Sequence, residues 1–397
     1  MMKYIEDELN LLEQNDLKRN PRIIKSESGP WVELEDGKNG KKVLQLGSNN
    51  YLGLANHPDL IQASHNAMVK YGVGSTGSRL LTGTTILHHE LEMEIAKFES
   101  SEASIFFSSG YSANLGVLSS LIDKNYAVYS DELNHASIID GIRLSGATKF
   151  IYNHNNVRHL ENLVSENCKN FKRNFIVTDT VFSMDGDIAP LKEIAEISKN
   201  YNCIPVLDEA HATGVFGKNG CGVVEELNLE EYFPIRIGTC SKALGVEGGF
   251  CVAPKVVIDL LKNKARSFMF STSPSPAIVG AVLKSIELIS KNKSKKEKLW
   301  HNAKYLFNGL VQNKYLRLNE FKTPIIVIYF NSINEVLKFS DFLFDECHIW
   351  APAIRPPTVK VPRIRLTPMS THSEEDMDIV INAFRAFSVE CLEEQRT

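Results

Sequence analysis

Short apolar runs alternate with helix-like spacing of apolar residues through most of this chain. Between residues 46 and 290 the strand-like runs are continuous rather than alternating, which is typical of strands buried on both faces of a sheet. The clearest runs are at residues 105–107, 127–129, 175–177, 205–207 and 249–252. Helical patterns, such as the one at residues 191–199, lie between them and indicate crossovers that join parallel strands. The pattern therefore predicts an α/β fold with a mostly parallel sheet.

The two ends of the chain have a different pattern. Residues 1–45 predict an N-terminal helix and a short hairpin, with a polar turn at residues 35–40. Beyond about residue 290 we expect a long helix, a strand at residues 324–328, a helix, a strand at residues 363–366 and a final helix. We therefore predict an N-terminal segment at residues 1–45, a large domain at residues 46–290 and a smaller C-terminal α+β domain at residues 291–397.

Composition narrows the range of functions. The 397 residues carry 44 Lys and Arg and 48 Asp and Glu, and the net charge of −4 offers no general footprint for nucleic acid. The seven cysteines form no CxxC pair, so neither a disulfide framework nor a structural zinc site is expected. The N-terminus lacks the apolar core of a signal peptide, and no run of about 18 apolar residues could span a membrane. We expect a cytoplasmic globular protein with reduced thiols.

A lysine and an aspartate supply the most informative chemistry. Lys242 follows the strand-like run at residues 235–238 in a loop of small and hydroxyl residues, and Asp208 ends the apolar run at residues 203–207. Open α/β sheets bind their ligands at the carboxyl ends of the strands. Pyridoxal phosphate (PLP) needs a lysine amine for its aldehyde and an acidic partner for its pyridine nitrogen. The pair predicts a PLP site, with an aspartate that caps the following segment as the alternative for Asp208.

A candidate phosphate site lies at residues 108–114, which read SSGYSAN. They follow the strand-like run at residues 105–107 and open a helical pattern, so free amide N–H groups and the positive end of the helix dipole would face an anion. Ser109, Gly110 and Tyr111 are therefore candidates for phosphate binding. A plain strand-to-helix turn with serine caps is the alternative.

Two other motifs do not support a site. Residues 72–77 match GxGxxG, but they follow a predicted helix, where the dinucleotide fingerprint requires a strand. His88, His89 and Glu90 have no third ligand placed by spacing, so we favour a solvated or capping histidine pair and predict no metal site.

Six motifs, in order along the chain, resemble those of the α-oxoamine synthases. They are NNYLGL at residues 49–54, SGY at 109–111, NHAS at 134–137, VFSMDGD at 181–187, DEAH at 208–211 and TCSK at 239–242. The resemblance implies a fold-type-I PLP transferase, in which a large domain with a mostly parallel sheet binds the cofactor and a smaller domain follows. It also implies a homodimer with shared active sites. Such enzymes join an amino acid to an acyl thioester of coenzyme A or a carrier protein, usually with loss of carbon dioxide.

The resemblance also implies a role for individual residues. Lys242 would hold the cofactor and move protons at the substrate Cα, Asp208 would pair with the ring nitrogen, and His211 would bond the phenolic oxygen. His135 would stack on the ring, although a histidine at this place could otherwise be an ordinary helix-start residue. The other implied cofactor contacts are Ser109, Gly110, Tyr111, Ser183, Thr239, Ser241 and, reaching across from the partner subunit, Ser271 and Thr272.

A substrate carboxylate requires a fixed cation, and a planar guanidinium suits bidentate pairing. Arg365 matches the family arginine best, and Asn49 would assist at the same carboxylate. Arg363 is the competing choice, because residues two apart on a strand share a face and spacing cannot separate them.

Residues 348–359 and the two arginines that follow are most similar to the family members that condense L-alanine with a pimeloyl thioester in biotin biosynthesis. Other segments are similar to members that use glycine with an acetyl group or serine with a palmitoyl group. A catalytically silent scaffold on the same fold is the alternative of a different class. The presence of Lys242, Asp208, His211 and His135 argues against it, because a scaffold needs no such set.

Overall fold

The computed structural model describes residues 2–35 and 40–394, with side chains up to residue 386. The helices in this part of the chain are α1 (Lys3–Gln14), α2 (Pro58–Tyr71), α3 (Ile86–Phe98), α4 (Gly110–Leu121), α5 (Ala136–Ser145), α6 (Val157–Asn167), α7 (Leu191–Asn200), α8 (Val223–Leu227), α9 (Lys255–Lys264), α10 (Arg266–Met269), α11 (Pro276–Lys291), α12 (Ser294–Val311), α13 (Ile333–Asp345) and α14 (Glu374–Glu394). The strands are β1 (Trp31–Leu34), β2 (Lys41–Gln45), β3 (Ala103–Phe107), β4 (Ala127–Asp131), β5 (Thr148–Tyr152), β6 (Asn174–Asp179), β7 (Cys203–Asp208), β8 (Ile235–Thr239), β9 (Gly249–Ala253), β10 (Arg317–Leu318), β11 (Ile326–Tyr329), β12 (Ile349–Trp350), β13 (Ala353–Ile354) and β14 (Arg363–Leu366). Two compact units contain them, which are described separately below.

The larger unit, residues 49–183 and 187–296, contains a seven-stranded sheet. Its strand order is β3-β9-β8-β7-β6-β4-β5. The neighbours from β5 to β8 run parallel, whereas β9 is antiparallel to both β3 and β8. The predicted α/β fold with a mostly parallel sheet is confirmed, and the five predicted apolar runs lie within β3, β4, β6, β7 and β9.

Burial on both faces explains the continuous apolar runs. Every residue of β4, β6, β8 and β9 is buried, and helix residues such as Val117, Ile138 and Ile258 join the same core. Strand β5 lies at the sheet edge and buries only Tyr152. An edge strand needs no continuous apolar run, which is why the hydrophobic pattern did not single it out.

The direction of the strands brings polar residues to one edge of the sheet. Strands β4, β6, β7 and β8 are parallel, so their last residues, Asp131, Asp179, Asp208 and Thr239, share that edge. Strand β3 has the same direction, since both it and β8 are antiparallel to β9, and it leads directly into α4. The larger unit therefore has the ligand-binding edge expected of an open α/β sheet.

The smaller unit comprises residues 1–48, 184–186 and 297–397. It contains the sheets β1-β2-β12 and β10-β11-β14-β13. Strands β1 and β2 are antiparallel, as expected of the predicted hairpin, but residues 36–39 of its turn lie outside the described residues. Strand β11 begins at Ile326, two residues after the start predicted for it. The predicted division at residues 45 and 290 stays a prediction.

None of the helices in the described part of the chain combines the length and the apolar character needed to cross a lipid bilayer.

Candidate active site

Asp208 is a fixed carboxylate at the end of β7. Its side chain is only 4% exposed. One carboxylate oxygen accepts a hydrogen bond from Asn114 Nδ2 at 2.6 Å, and the other accepts one from the backbone N–H of Ala210 at 2.8 Å. Buried polar groups need such partners, and bonds to an ionised carboxylate are among the strong ones. Asp208 is therefore held in one orientation at the binding edge of the sheet.

A second buried carboxyl group, Asp179, lies beside it. Asp179 ends β6 and is the register partner of Asp208 across the two strands. Burial, and next the charge of Asp208, raise the pKa of Asp179 well above its usual range, although the backbone N–H of His135 and the charge of Lys242 act in the opposite direction. Asp179 was not among the site residues predicted from the sequence. Its signal, an acid at the end of a buried strand, is the same one that identified Asp208.

His135 precedes α5 and presents a neutral ring. Its Nδ1 lies 2.7 Å from Ser137 Oγ and also accepts the Ser137 backbone N–H at 3.3 Å. The Tyr111 ring meets it edge to face at 6.3 Å between centroids. His135 is exposed, but partial burial by the surrounding protein lowers its pKa. The charge of Asp208 acts in the opposite direction, and the positive charge of Lys242 lowers the pKa further. The charges of Lys242 and Asp208 thus act on the same imidazole.

His211 is buried in the segment that follows β7 and contacts Tyr51. The Tyr51 hydroxyl lies 2.9 Å from His211 Nδ1, and the two rings meet edge to face. If the tyrosine donates to Nδ1, then Nε2 carries the hydrogen. In the sequence Tyr51 is one residue of the NNYLGL motif, and its contact with His211 could not be predicted from it.

The loop after β8 holds Lys242. The amide of Gly245 donates to the Lys242 carbonyl at 2.9 Å, and Val246 donates to Cys240 at 2.8 Å. Gly245 has φ +70°, and a Cβ there would lie 2.6 Å from the backbone nitrogen of Ala55. Only glycine fits this close approach without strain. The loop is therefore packed tightly around a partly buried Lys242.

The turn before α4 contains two of the residues predicted to bind phosphate, Ser109 and Gly110. Ser109 caps the helix by accepting the Ser112 N–H at 3.0 Å, and the first-turn amides of a helix have no partner within it. Nearby, the hydroxyls of Thr239 and Ser241 lie 2.9 Å apart, and a Cβ on Gly110 would lie 3.1 Å from Thr239. The structure thus brings the predicted residues Ser109, Gly110, Thr239 and Ser241 together.

The remaining predicted cofactor residues lie in loops of the larger unit or, for Tyr111, in the first turn of α4. Ser183 is partly buried, in a loop closed at its base by a bridge between Val181 and Ile188. Tyr111 follows Gly110 at the start of α4 and donates a hydrogen bond to Asp140. Ser271 is partly buried, and Thr272 is exposed and bridges to Ser78. These contacts anchor the segments that contain Ser183, Tyr111 and Thr272.

His88 supports the loop that contains Ser271 and Thr272. It is fully buried, accepts the Thr85 N–H through Nδ1 at 3.2 Å and has its Nε2 2.9 Å from the Pro274 carbonyl. Together with Thr85 it forms a capping box at the start of α3. Of the two alternatives for this histidine, the structure thus shows capping rather than solvation.

In the smaller unit, the two competing arginines lie on β14. Arg363 donates to Asp185 at 2.6 Å and to the Met184 carbonyl at 2.8 Å, and its guanidinium lies 4.9 Å from the centre of the Tyr329 ring. These contacts already occupy the Arg363 side chain. Arg365 is 5% exposed, and its choice for the substrate carboxylate stays a prediction. Asn49, the other candidate, is partly buried in the larger unit.

A sequence model of the family described as "Aminotransferase class I and II" matches residues 41–384. The chain belongs to this family. Among class I and II aminotransferase relatives, an 8-amino-7-oxononanoate synthase from Petrotoga mobilis is 42% identical over 385 residues, 96% of each chain. The motif resemblance to the α-oxoamine synthases is thereby confirmed.

Solved structures of the same type are close in shape. A serine palmitoyltransferase variant from S. paucimobilis with a bound PLP–myriocin aldimine has a TM-score of 0.90 and 30% identity, covering 97% of this chain and 96% of that one. An 8-amino-7-oxononanoate synthase from Francisella tularensis has a TM-score of 0.76 and 29% identity, covering 88% and 98%. The fold-type-I transferase architecture predicted for this class I and II aminotransferase family member is confirmed.

His154 forms an ion cluster at the base of the Ser183 loop. Its Nδ1 lies 2.9 Å from Asp131 and its Nε2 lies 2.8 Å from Asp187, while Asn155 donates to both carboxylates. The Phe182 ring meets the imidazole edge to face at 4.4 Å. Burial opposes the charge, but the hydrogen bonds to Asp131 and Asp187 outweigh it and raise the pKa of His154 to about 10.

This cluster predicts a pH-dependent contribution to stability. His154 has an ordinary pKa of 6.5 and a raised pKa in the folded protein, so its charge stabilises the fold fully below pH 6.5. We expect His154→Gln to lower the free energy of unfolding there by on the order of 2 kcal/mol. The difference from the wild type should shrink as the pH rises and vanish above a pH of about 10. Urea unfolding across this range measures it.

The exposed His65 on α2 provides a control, because His65→Gln should leave the unfolding curve unchanged at every pH. A loss in His154→Gln that is equally large at pH values above and below the folded pKa would show that the charge of His154 contributes nothing.

Proposed function

We propose that this chain is a PLP-dependent acyltransferase that condenses L-alanine with a pimeloyl thioester to give 8-amino-7-oxononanoate, carbon dioxide and a free thiol. The observation that carries this proposal is the 42% identity, over 96% of both chains, to the 8-amino-7-oxononanoate synthase of P. mobilis. In the reaction, a carbon–carbon bond forms between the alanine Cα and the acyl carbon while the carbon–sulfur bond breaks. The alanine carboxylate leaves as carbon dioxide, and a proton replaces it at Cα.

The chemistry of the residues at the binding edge fits PLP. An amine, at Lys242, suits the aldehyde, and the carboxylate of Asp208 suits a protonated pyridine nitrogen. The amides at the start of α4, with the hydroxyls of Thr239 and Ser241, suit the phosphate. The turn before α4, at residues 108–110, is called the phosphate turn below. Glycine at position 249 supports the fit, because a Cβ there would lie 2.5 Å from the backbone of Ser109 and Gly110 and distort this turn.

When bound, PLP supplies an electron sink that stabilises negative charge on the amino-acid Cα. The residues of this chain bind it and move protons around it. Lys242 removes the Cα proton of alanine and returns a proton to the product Cα. Asp208 keeps the ring nitrogen protonated, and His211, oriented by Tyr51, donates to the phenolic oxygen. The neutral His135 ring covers one face of the cofactor ring.

The remaining contacts complete the site. Arg365 binds the alanine carboxylate with help from Asn49, because a planar guanidinium suits bidentate pairing with a carboxylate. Ser109, Gly110, Tyr111, Thr239 and Ser241 bind the phosphate, and Ser183 lies close to the ring. Loss of the substrate carboxylate as carbon dioxide follows acylation, because a β-keto acid decarboxylates readily.

The protein acts as a homodimer in this proposal, with Ser271 and Thr272 of each subunit reaching the other subunit's cofactor phosphate. Exposed apolar side chains near these residues support it: Leu81 is 82% exposed, Val73 is 73% exposed and Phe270 is 70% exposed. The Ser78–Thr272 bridge holds the two segments together. Exposed large apolar residues grouped on a surface are typical of a protein interface.

We place this reaction in the cytoplasm. The cysteines at positions 168, 203, 221, 240 and 251 are thiols rather than disulfides. Burial raises the pKa of Cys203 and of Cys251 to about 12, so both stay protonated and unreactive. Thiols of this kind fit a reducing compartment.

Serine palmitoyltransferase activity is the second candidate, because the PLP-bound S. paucimobilis enzyme has the higher TM-score, 0.90 against 0.76 for the F. tularensis synthase. Thiol release by the PLP-loaded protein separates the candidates. The assay crosses L-alanine, L-serine and glycine with pimeloyl, palmitoyl and acetyl thioesters, each on coenzyme A and on a carrier protein. Turnover confined to alanine with pimeloyl supports the proposal. Serine with palmitoyl, or glycine with acetyl, would replace it, and a protein that binds no PLP would favour a silent scaffold.

Gly249→Ala provides a prediction for the phosphate turn. The new Cβ has backbone, not a flexible side chain, within 2.5 Å, so the start of α4 must shift. Overpacking of this kind costs roughly 1–3 kcal/mol, and we expect PLP to bind about tenfold more weakly or worse. Gly29→Ala is the control, since its Cβ would lie no closer than 3.8 Å to a neighbour. Equal PLP affinity of the two variants, measured by absorbance titration, would contradict the role of the turn.

A further inference from the structure

A single asparagine connects two of the groups that face the cofactor. Asn114 lies on α4, the helix that begins at the phosphate turn, and it is 2% exposed. Its Nδ2 donates one hydrogen bond to Asp208 at 2.6 Å and a second to Ser137 Oγ at 3.0 Å. Ser137 Oγ in turn lies 2.7 Å from His135 Nδ1. A continuous chain of hydrogen bonds thus runs from Asp208 to His135.

The direction of these bonds is fixed by the chemistry of the groups. A carboxylate only accepts, so one hydrogen of the Asn114 amide goes to Asp208 and the other goes to Ser137 Oγ. The Ser137 hydroxyl then gives its own hydrogen to His135 Nδ1. This agrees with the lowered pKa of His135, because a neutral ring has one accepting nitrogen.

The orientation of the amide is set by these acceptors. The Asn114 Oδ1 atom is buried with no hydrogen-bond partner among the described residues. An unmade bond at a buried oxygen is costly. A flipped amide would place Oδ1 against the Asp208 carboxylate, which is worse still, especially with the Asp179 carboxyl group beside it. Asp208 requires a hydrogen-bond donor, and this requirement determines the orientation of the Asn114 amide.

We propose that Asn114 and Ser137 are positioning residues that hold Asp208 and His135 in the relative arrangement required by the cofactor ring. The inference rests on the proposed function, in which Asp208 meets the ring nitrogen and His135 covers the ring face. Asn114 donates to Asp208 directly and to His135 through Ser137, so a change at Asn114 disturbs the positions of both Asp208 and His135. A change at Ser137 disturbs only His135 and leaves the bond from Asn114 to Asp208 in place.

A purely structural role is the competing explanation, since α4 packs against α5: a Cβ on Gly141 would lie 3.0 Å from the Asn114 carbonyl oxygen. Such a role would change stability without changing the bound cofactor. The distinguishing measurements are therefore the dissociation constant for PLP and the pH midpoint of the absorbance of bound PLP in the absence of substrate. Urea unfolding reports separately on stability.

The variants are Asn114→Leu, Ser137→Ala and a matched control. Ser120→Ala serves as the control, because Ser120 is equally buried on α4 and, among the described residues, its hydroxyl bonds only to Gly116 of the same helix. For Asn114→Leu we expect PLP binding at least about tenfold weaker, the effect of losing a charge-assisted bond, and a pH midpoint shifted by at least about half a unit. Ser137→Ala should shift the midpoint while keeping the affinity within about threefold. Ser120→Ala should change neither.

A folded Asn114→Leu protein with the wild-type affinity and midpoint would overturn the inference and leave the proposed function intact. If Asn114→Leu does not fold, an unmoved midpoint in Ser137→Ala overturns it equally. Failure of the wild-type protein to bind PLP at all would overturn the proposed function, and the inference with it.

Discussion

Lys242→Ala is expected to abolish turnover and the covalent retention of PLP. Lys242 is the one residue that both holds the cofactor aldehyde and moves the proton at Cα in this account, so the variant loses two functions at once. Proton transfer alone contributes about a hundredfold to ten-thousandfold to a rate. We therefore expect thiol release to fall by at least about a thousandfold.

The measurement combines thiol release with borohydride reduction followed by denaturation, which leaves PLP on the wild-type chain and none on Lys242→Ala. An exposed lysine on α9 provides the control, because Lys264→Ala should keep both the rate and the reduced adduct. Wild-type turnover by Lys242→Ala, or an adduct that maps to another lysine, would contradict the assignment.

The second large expected effect distinguishes the roles of two neighbouring carboxyl groups, those of Asp208 and Asp179. In the proposed mechanism the charge of Asp208 keeps the ring nitrogen protonated. Asp208→Asn removes this charge, and we expect the rate of thiol release to fall by at least about a hundredfold. Asp179→Asn should change it by no more than about threefold. The raised pKa of Asp179 makes its neutral form readily accessible, and an asparagine oxygen can still accept the His135 N–H, so this substitution changes little.

The comparison of Asp208→Asn with Asp179→Asn is made on proteins loaded with PLP, with the absorbance of the bound cofactor recorded beside the rate. Equal losses in both variants would show that the two carboxyl groups act as one unit. A larger loss in Asp179→Asn would reverse their assignment.

Much of the larger unit could be predicted from the sequence, because a strand buried on both faces is recorded in the sequence as a continuous apolar run. Strands β4, β6 and β9 are of this kind. The edge strand β5 was not predicted from such a run, since only its last residue is buried. Asp208 was found from its place at the end of a buried strand, and the same reasoning applied to residues 175–179 would have found Asp179.

Contacts between side chains that are distant in sequence could not be predicted. Asn114 and Asp208 are 94 residues apart, and their bond depends on how α4 is rotated over the sheet. The choice between Arg363 and Arg365 had the same difficulty, because residues two apart on a strand share a face. The bond from Arg363 to Asp185 could not be predicted from that spacing, and the choice of Arg365 for the substrate stays a prediction.

The most direct test of the proposed reaction follows the carboxyl carbon of alanine. L-alanine with an isotopically labelled carboxylate is incubated with the PLP-loaded protein and a pimeloyl thioester. Labelled carbon dioxide, free thiol and product are then quantified together. We expect equal amounts of labelled carbon dioxide and thiol, with 8-amino-7-oxononanoate as the product. Thiol release without labelled carbon dioxide, or turnover only when serine or glycine replaces alanine, would contradict it.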